Sequence, residues 1–131
     1  MAGITPFAAA AMLNYSLNGT QPVIGSWAVG LATNTAPTTA SPYEIATGLG
    51  ANRATCTFPA AASPAGSASN ANTLSYGPFS SSATVSGIQV WNTNAVTGGS
   101  YLWFGTLSVA RTLNPGDSLV INPGNLLITL S

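Results

Sequence analysis

Only four side chains in this sequence carry a charge at neutral pH, Glu44, Arg53, Arg111 and Asp117, and one thiol, Cys56, adds a further candidate nucleophile or metal ligand. Two carboxylates are the minimum for glycoside hydrolysis, which sets two carboxyl groups across one scissile bond. Asp117, however, directly follows Pro115-Gly116, where turn chemistry already accounts for it, and Glu44 stands among turn formers without an evident partner. There is no histidine, so a serine or cysteine nucleophile has no imidazole to relay its proton. A lone Cys56 closes no internal disulfide and makes a poor zinc site, and two carboxylates build no oxygen cage for a divalent cation. The sequence therefore predicts no catalytic residues, no metal and no cofactor.

Arg53 and Arg111 have two readings. Arginine forks onto carboxylates and is enriched at interfaces, so each can anchor a neighbouring subunit. Each can equally pair inside the chain with Glu44 or Asp117, and an exposed pair of that kind is worth only about 0–1 kcal/mol. The aromatic residues Trp27, Tyr76, Trp91, Tyr101 and Trp103 are also ambiguous, because a flat ring with a polar tip suits a sugar-binding platform. Alternation along strands puts such residues in a core more often, and core is the preferred reading. Cys56, between Thr55 and Thr57, is read as a small buried hydrophobe. Asn14-Tyr15-Ser16 and Asn18-Gly19-Thr20 match the glycosylation pattern, but chance matches are expected in a chain this rich in asparagine.

The shortage of charge decides the broad class. Of 131 residues 3% are charged and the net charge is zero, against about 25% in ordinary globular proteins. Two arginines cannot track a phosphate backbone, so no nucleic-acid partner is expected. Mean hydropathy is +0.34. Nevertheless the longest clean apolar run, 7–13, falls far short of the roughly 20 residues that span a bilayer, so no membrane partner is expected either. The start carries no basic residue ahead of its apolar stretch, and a secretory signal is not expected. Three Trp, four Tyr and four Phe argue against disorder. Serine, threonine and asparagine number 42, so uncharged hydroxyl and amide groups must hydrate the surface. With little repulsion to keep copies apart, such a chain suits assembly, and a homotrimer is expected.

The elements that would position these residues form one β-rich domain, 1–131. A single short helix is predicted over 5–18: Thr5 is a suitable N-cap, Pro6 loses nothing at the first turn, and Gly19 supplies a left-handed end. Its stripe of Phe7, Ala10, Ala11, Leu13, Asn14 and Leu17 reads as packing, with Phe7 and Leu13 available to neighbours along with Arg53, Arg111 and Glu44. From 26 to 131 the period changes to two. Trp27, Val29 and Leu31 alternate with Ala28, Gly30 and Ala32 as a half-buried strand. A second strand is predicted over 53–58, and a loop on each side of it, 34–51 and 59–68; residues 72–76 rejoin the sheet. Strands at 85–92 and 101–107 form a hairpin through Gly98-Gly99, with Tyr101 and Trp103 on one face. Pro115-Gly116 and Pro123-Gly124 mark two type II turns around 118–121, and Leu126, Ile128 and Leu130 share one face of a final strand. The predicted class is mainly β, an antiparallel β-sandwich or jelly-roll-like barrel with one short N-terminal α-helix, its core formed by Trp27, Trp91, Trp103, Phe104, Leu126 and Ile128.

The order of these features resembles a known family. A helix leads to Trp27-Ala28-Val29-Gly30-Leu31-Ala32-Thr33; then come Ile88-Gln89-Val90-Trp91-Asn92, a Gly-Gly hairpin, Leu102-Trp103-Phe104-Gly105-Thr106-Leu107, Arg111-Thr112-Leu113 running into Pro115-Gly116-Asp117, and Gly124-Asn125-Leu126-Leu127-Ile128-Thr129-Leu130. This is similar to small tailed-bacteriophage virion structural proteins, often labelled tail-fibre or minor structural proteins. The resemblance implies a non-enzymatic protein on the outer surface of the particle, made in the host cytoplasm, and names no catalytic residues. Within that class the expected function is capsid decoration: a cement subunit whose modest contacts with itself and the major capsid protein add up around the head. The alternative is a tail-fibre or tail-tip module that binds a host surface glycan. The lack of a heptad run or shaft repeat favours decoration.

Overall fold

A computed structural model describes residues 3–20, 25–33, 44–45, 52–60, 66–95 and 98–129. The predicted loop 34–51 lies largely outside them, as do residues 61–65 of the loop 59–68 and Leu130. The chain opens with a two-residue strand, β1 (Gly3–Ile4), and the helix α1 (Pro6–Asn18). Thr5 caps the helix as its sequence suggests: the backbone is extended at φ −78° and the Ala8 N–H donates to Oγ1 at 3.3 Å. Gly19 ends it at φ 67°, with its N–H donating to the Tyr15 carbonyl.

The remaining elements are all strands: β2 (Ala28–Ala32), β3 (Ala54–Thr55), β4 (Ser67–Ser69), β5 (Leu74–Tyr76), β6 (Ala83–Trp91), β7 (Tyr101–Leu113), β8 (Leu119–Ile121) and β9 (Leu127–Thr129). One antiparallel sheet runs in the order β1-β7-β6-β2-β3, and two strand pairs, β5-β8 and β4-β9, lie against it. The protein is thus mainly β with sandwich-like layers and one N-terminal helix. Both Pro-Gly turns form as predicted. Gly116 and Gly124 sit at φ 92° and 82°, and Asp117 and Asn125 donate to the carbonyls of Asn114 and Asn122.

Directly paired residues on antiparallel strands share a face, so the register sorts the side chains. Val29 pairs with Val90, Leu31 with Ile88, and Val90 with Trp103. This face meets Leu74, Tyr76, Phe79, Leu113 and Leu126 in the core. The Tyr76 hydroxyl donates to the Val29 carbonyl at 2.8 Å and ties the layers together. Burial holds the Tyr76 phenol well above its usual range, with the neighbouring Cys56 adding to the effect.

Four expectations are corrected. Strand β2 is buried along its whole length, because Trp91, Glu44 and Arg53 cover its second face. The strand expected over 53–58 shrinks to two residues, while Ser67 and Ala68, expected at the end of the loop 59–68, join Ser69 in a strand that pairs with β9. Tyr101 and Trp103 do not share a face: Trp91 pairs with Tyr101 and Val90 with Trp103, which leaves Leu102 as an extra residue that flips the alternation. Last, β7 continues to Leu113 through a larger bulge, in which residues 107–110 oppose Ser86 alone.

Candidate functional site

The first cluster grows from Arg53. Its residue is buried at 6% exposure, and the planar guanidinium lies 3.4 Å from the centroid of the Trp91 ring. Nε and Nη2 donate to the two oxygens of Glu44 at 2.7 and 2.9 Å, a bidentate fork. Nη1 donates to the carbonyl oxygens of Ala95, Gly98 and Thr93, all in the connection between β6 and β7. Trp91 Nε1 donates to Gln89 Oε1 at 3.2 Å, which fixes the ring under the guanidinium. Gly30 makes room for the stack: a Cβ there would stand 2.7 Å from Glu44 Oε1 and 3.2 Å from Trp91 Nε1. The cluster therefore pins a hairpin tip to the sheet, and the donors of Arg53 all point inward.

Asp117 is engaged elsewhere. Its Oδ2 accepts the Asn114 N–H at 2.9 Å within the first Pro-Gly turn. The two carboxylates thus serve separate local structures, and the fold does not bring them together as a pair. Among the described residues, no three of His, Cys, Asp or Glu gather where they could hold a metal ion. Cys56 is buried beside the core, and desolvation pushes its thiol up to about 11.

The second candidate is a groove of about 280 Å³ between the edge strand β1 and the final strand β9. Trp103, Val90 and Ile88 line it from the large sheet, Ile4 from one wall, and Leu126 and Ile128 from the other. Phe104 also borders it, and its ring fills the space over Gly3, where a Cβ would come within 3.0 Å. Trp103 is half-buried, with its ring 5.6 Å from that of Trp27, which in turn meets Phe58 edge-on at 6.2 Å. The Trp103 indole nitrogen is shielded and finds no acceptor among the described residues. The groove thus offers apolar and aromatic surface with few polar groups, suited to binding without chemistry.

A family model described as podophage GP4 fiber I protein gp80 matches residues 3–129. The chain belongs to this family. It is therefore a phage structural protein and belongs in the virion. No curated protein matches the sequence. Within this fibre-family fold, the residues singled out from sequence separate clearly. Glu44 and Arg53 pair inside the chain, whereas Arg111 is exposed on β7. Phe7 and Leu13 stand 40% and 58% exposed on α1. Trp91 and Leu126 are buried; Trp27, Trp103 and Ile128 pack against the core while partly exposed; Phe104 lies on the opposite side of β7 from Trp103. The contributions of Gly3, Ile4 and Gln89 were missed from sequence. The one signal that could have found them is the small residue facing a large one across the sheet, Gly3 opposite Phe104 and Gly30 opposite Gln89. Among the described residues no helix is long and apolar enough to cross a membrane.

Proposed function

We propose that this protein is a non-enzymatic tail-fibre module whose groove between β1 and β9 binds a host surface glycan. The match to a fiber I family over nearly the whole chain carries this reading in preference to capsid cement. The groove supports it, because sugar rings stack their apolar faces on aromatic surface of the kind Trp103 presents.

The test uses the exposed rim, so that the fold survives. Ile4 and Leu127 are 37% and 63% exposed and both border the groove. The double variant Ile4→Gln/Leu127→Gln should keep the circular dichroism of the wild type and lose binding to glycans extracted from host envelopes, measured by calorimetry. A wild type that binds none of them, or a variant that binds equally well, overturns the glycan reading. Particle composition separates fibre from cement: a small set of copies at the tail supports the fibre, and copies distributed over the head lattice reject it.

A further inference from the structure

Exposed apolar side chains are concentrated on α1. Nine large hydrophobic residues stand exposed among the described residues, and five of them, Phe7, Met12, Leu13, Tyr15 and Leu17, are on this one helix. The helix buries only Ala8 against the rest of the chain. At 3.6 residues per turn, Pro6, Ala10, Leu13 and Leu17 fall in a sector about 60° wide, centred about 170° from Ala8. The face opposite Ala8 is thus wholly apolar, and Asn14 and Ser16 flank it with polar groups. Leu13 and Leu17 are 58% and 82% exposed. A stripe buried within its own chain would have been on the Ala8 side.

We infer that the outer face of α1, the Pro6-Ala10-Leu13-Leu17 stripe, packs against the same stripe of another copy of this chain. The spacing of four, three and four residues is that of an interhelical seam, where knobs from one helix enter holes in its partner. The helix carries no charged residue, so an identical helix approaches without repulsion, while a charged partner finds nothing to pair with. Self-complementary patches are what closed symmetry requires, and Ala10 lets two backbones come close. The presentation is fixed: Thr5 N–H donates to the Leu102 carbonyl and Thr5 Oγ1 to the Tyr101 carbonyl, both at 2.8 Å, which anchors the helix start on β7. A contact of one short helix is small, so association in the micromolar range is expected, strengthened where copies are held side by side. None of this depends on what the groove binds.

Sedimentation of the full chain over a micromolar concentration series tests the inference. The wild type should associate reversibly, and Leu13→Gln/Leu17→Gln, which keeps helix propensity, should weaken association about a hundredfold or more. Val109→Gln, at an equally exposed site on β7, should leave it unchanged. Leu17→Cys should form a disulfide-linked dimer with diamide far faster than Ser16→Cys, since the natural thiol of Cys56 is buried; this holds as evidence even if the double variant folds poorly. A monomeric wild type, undiminished association of the double variant, or equal crosslinking at both positions overturns the inference. So does flotation of the wild type with phosphatidylcholine–phosphatidylglycerol vesicles that the double variant abolishes, because the stripe would then be a lipid contact.

Discussion

Replacing Arg53 by Met tests whether the cluster around it holds the fold together or merely decorates it. Methionine keeps most of the length and apolar volume of the stem. It removes the fork to Glu44, the donors to Ala95, Gly98 and Thr93, and the cation over Trp91. The side chains of Arg53 and Glu44 are 2% and 15% exposed, so the carboxylate left behind stays largely out of water. Breaking a buried pair from one side costs about 3–5 kcal/mol, against about 0–1 kcal/mol for an exposed pair. A chain of this length has a stability of about 7–20 kcal/mol, so the variant should fold, with its melting temperature lowered by roughly 10–20 °C. Urea titration and thermal melting followed by far-ultraviolet circular dichroism give the loss, and near-ultraviolet dichroism reports the freed Trp91. Adding Glu44→Gln should recover part of it, since the stranded charge is then gone. A loss below about 1 kcal/mol, the exposed-pair value, would refute the reasoning, as would full stability in Arg53→Lys, whose point charge cannot reproduce the fork.

Two further outcomes follow from buried polar groups. Asn70, 2% exposed, donates through Nδ2 to the carbonyls of Asn72 and Asn122 and accepts the Leu126 N–H at Oδ1, so Asn70→Ala should cost about 2–4 kcal/mol in urea titration and raise hydrogen exchange first at the Leu126 amide. Cys56 is held neutral in the fold, where burial pushes its thiol up to about 11, above the ordinary thiol range, whereas the unfolded chain ionises it more readily; stability should be unaffected by this group below about pH 9 and decline from there to pH 11, a decline that alkaline melting of Cys56→Val should show reduced.

What could be read from sequence was the chemistry that acts locally. Thr5-Pro6 and Gly19 bound the helix correctly because capping depends on a few adjacent residues, and the two Pro-Gly turns formed for the same reason. The strand order of faces was lost at Leu102, since a bulge depends on what the partner strand offers and not on the bulged strand alone. Arg53 was narrowed to Glu44 or Asp117 as internal partners, and the fold chose Glu44. Its seat over Trp91 and its bonds to carbonyls some 40 residues onward arise from tertiary approach, which leaves no local pattern. The helix stripe showed the converse: its spacing was visible, but only the position of Ala8 reveals that the stripe faces away from the chain that bears it.

The Arg53–Glu44 pair has one more consequence, for the waters in which a virion travels. Dissolved ions weaken attraction between charges they can surround, and at about 0.1 M that screening reaches within 10 Å. Here the pair is largely shielded from those ions, and Arg111 and Asp117 are the only other charged side chains in the sequence. Almost nothing in this fold is left for ionic strength to act on, so it should keep its shape equally well in rainwater, soil solution or brine.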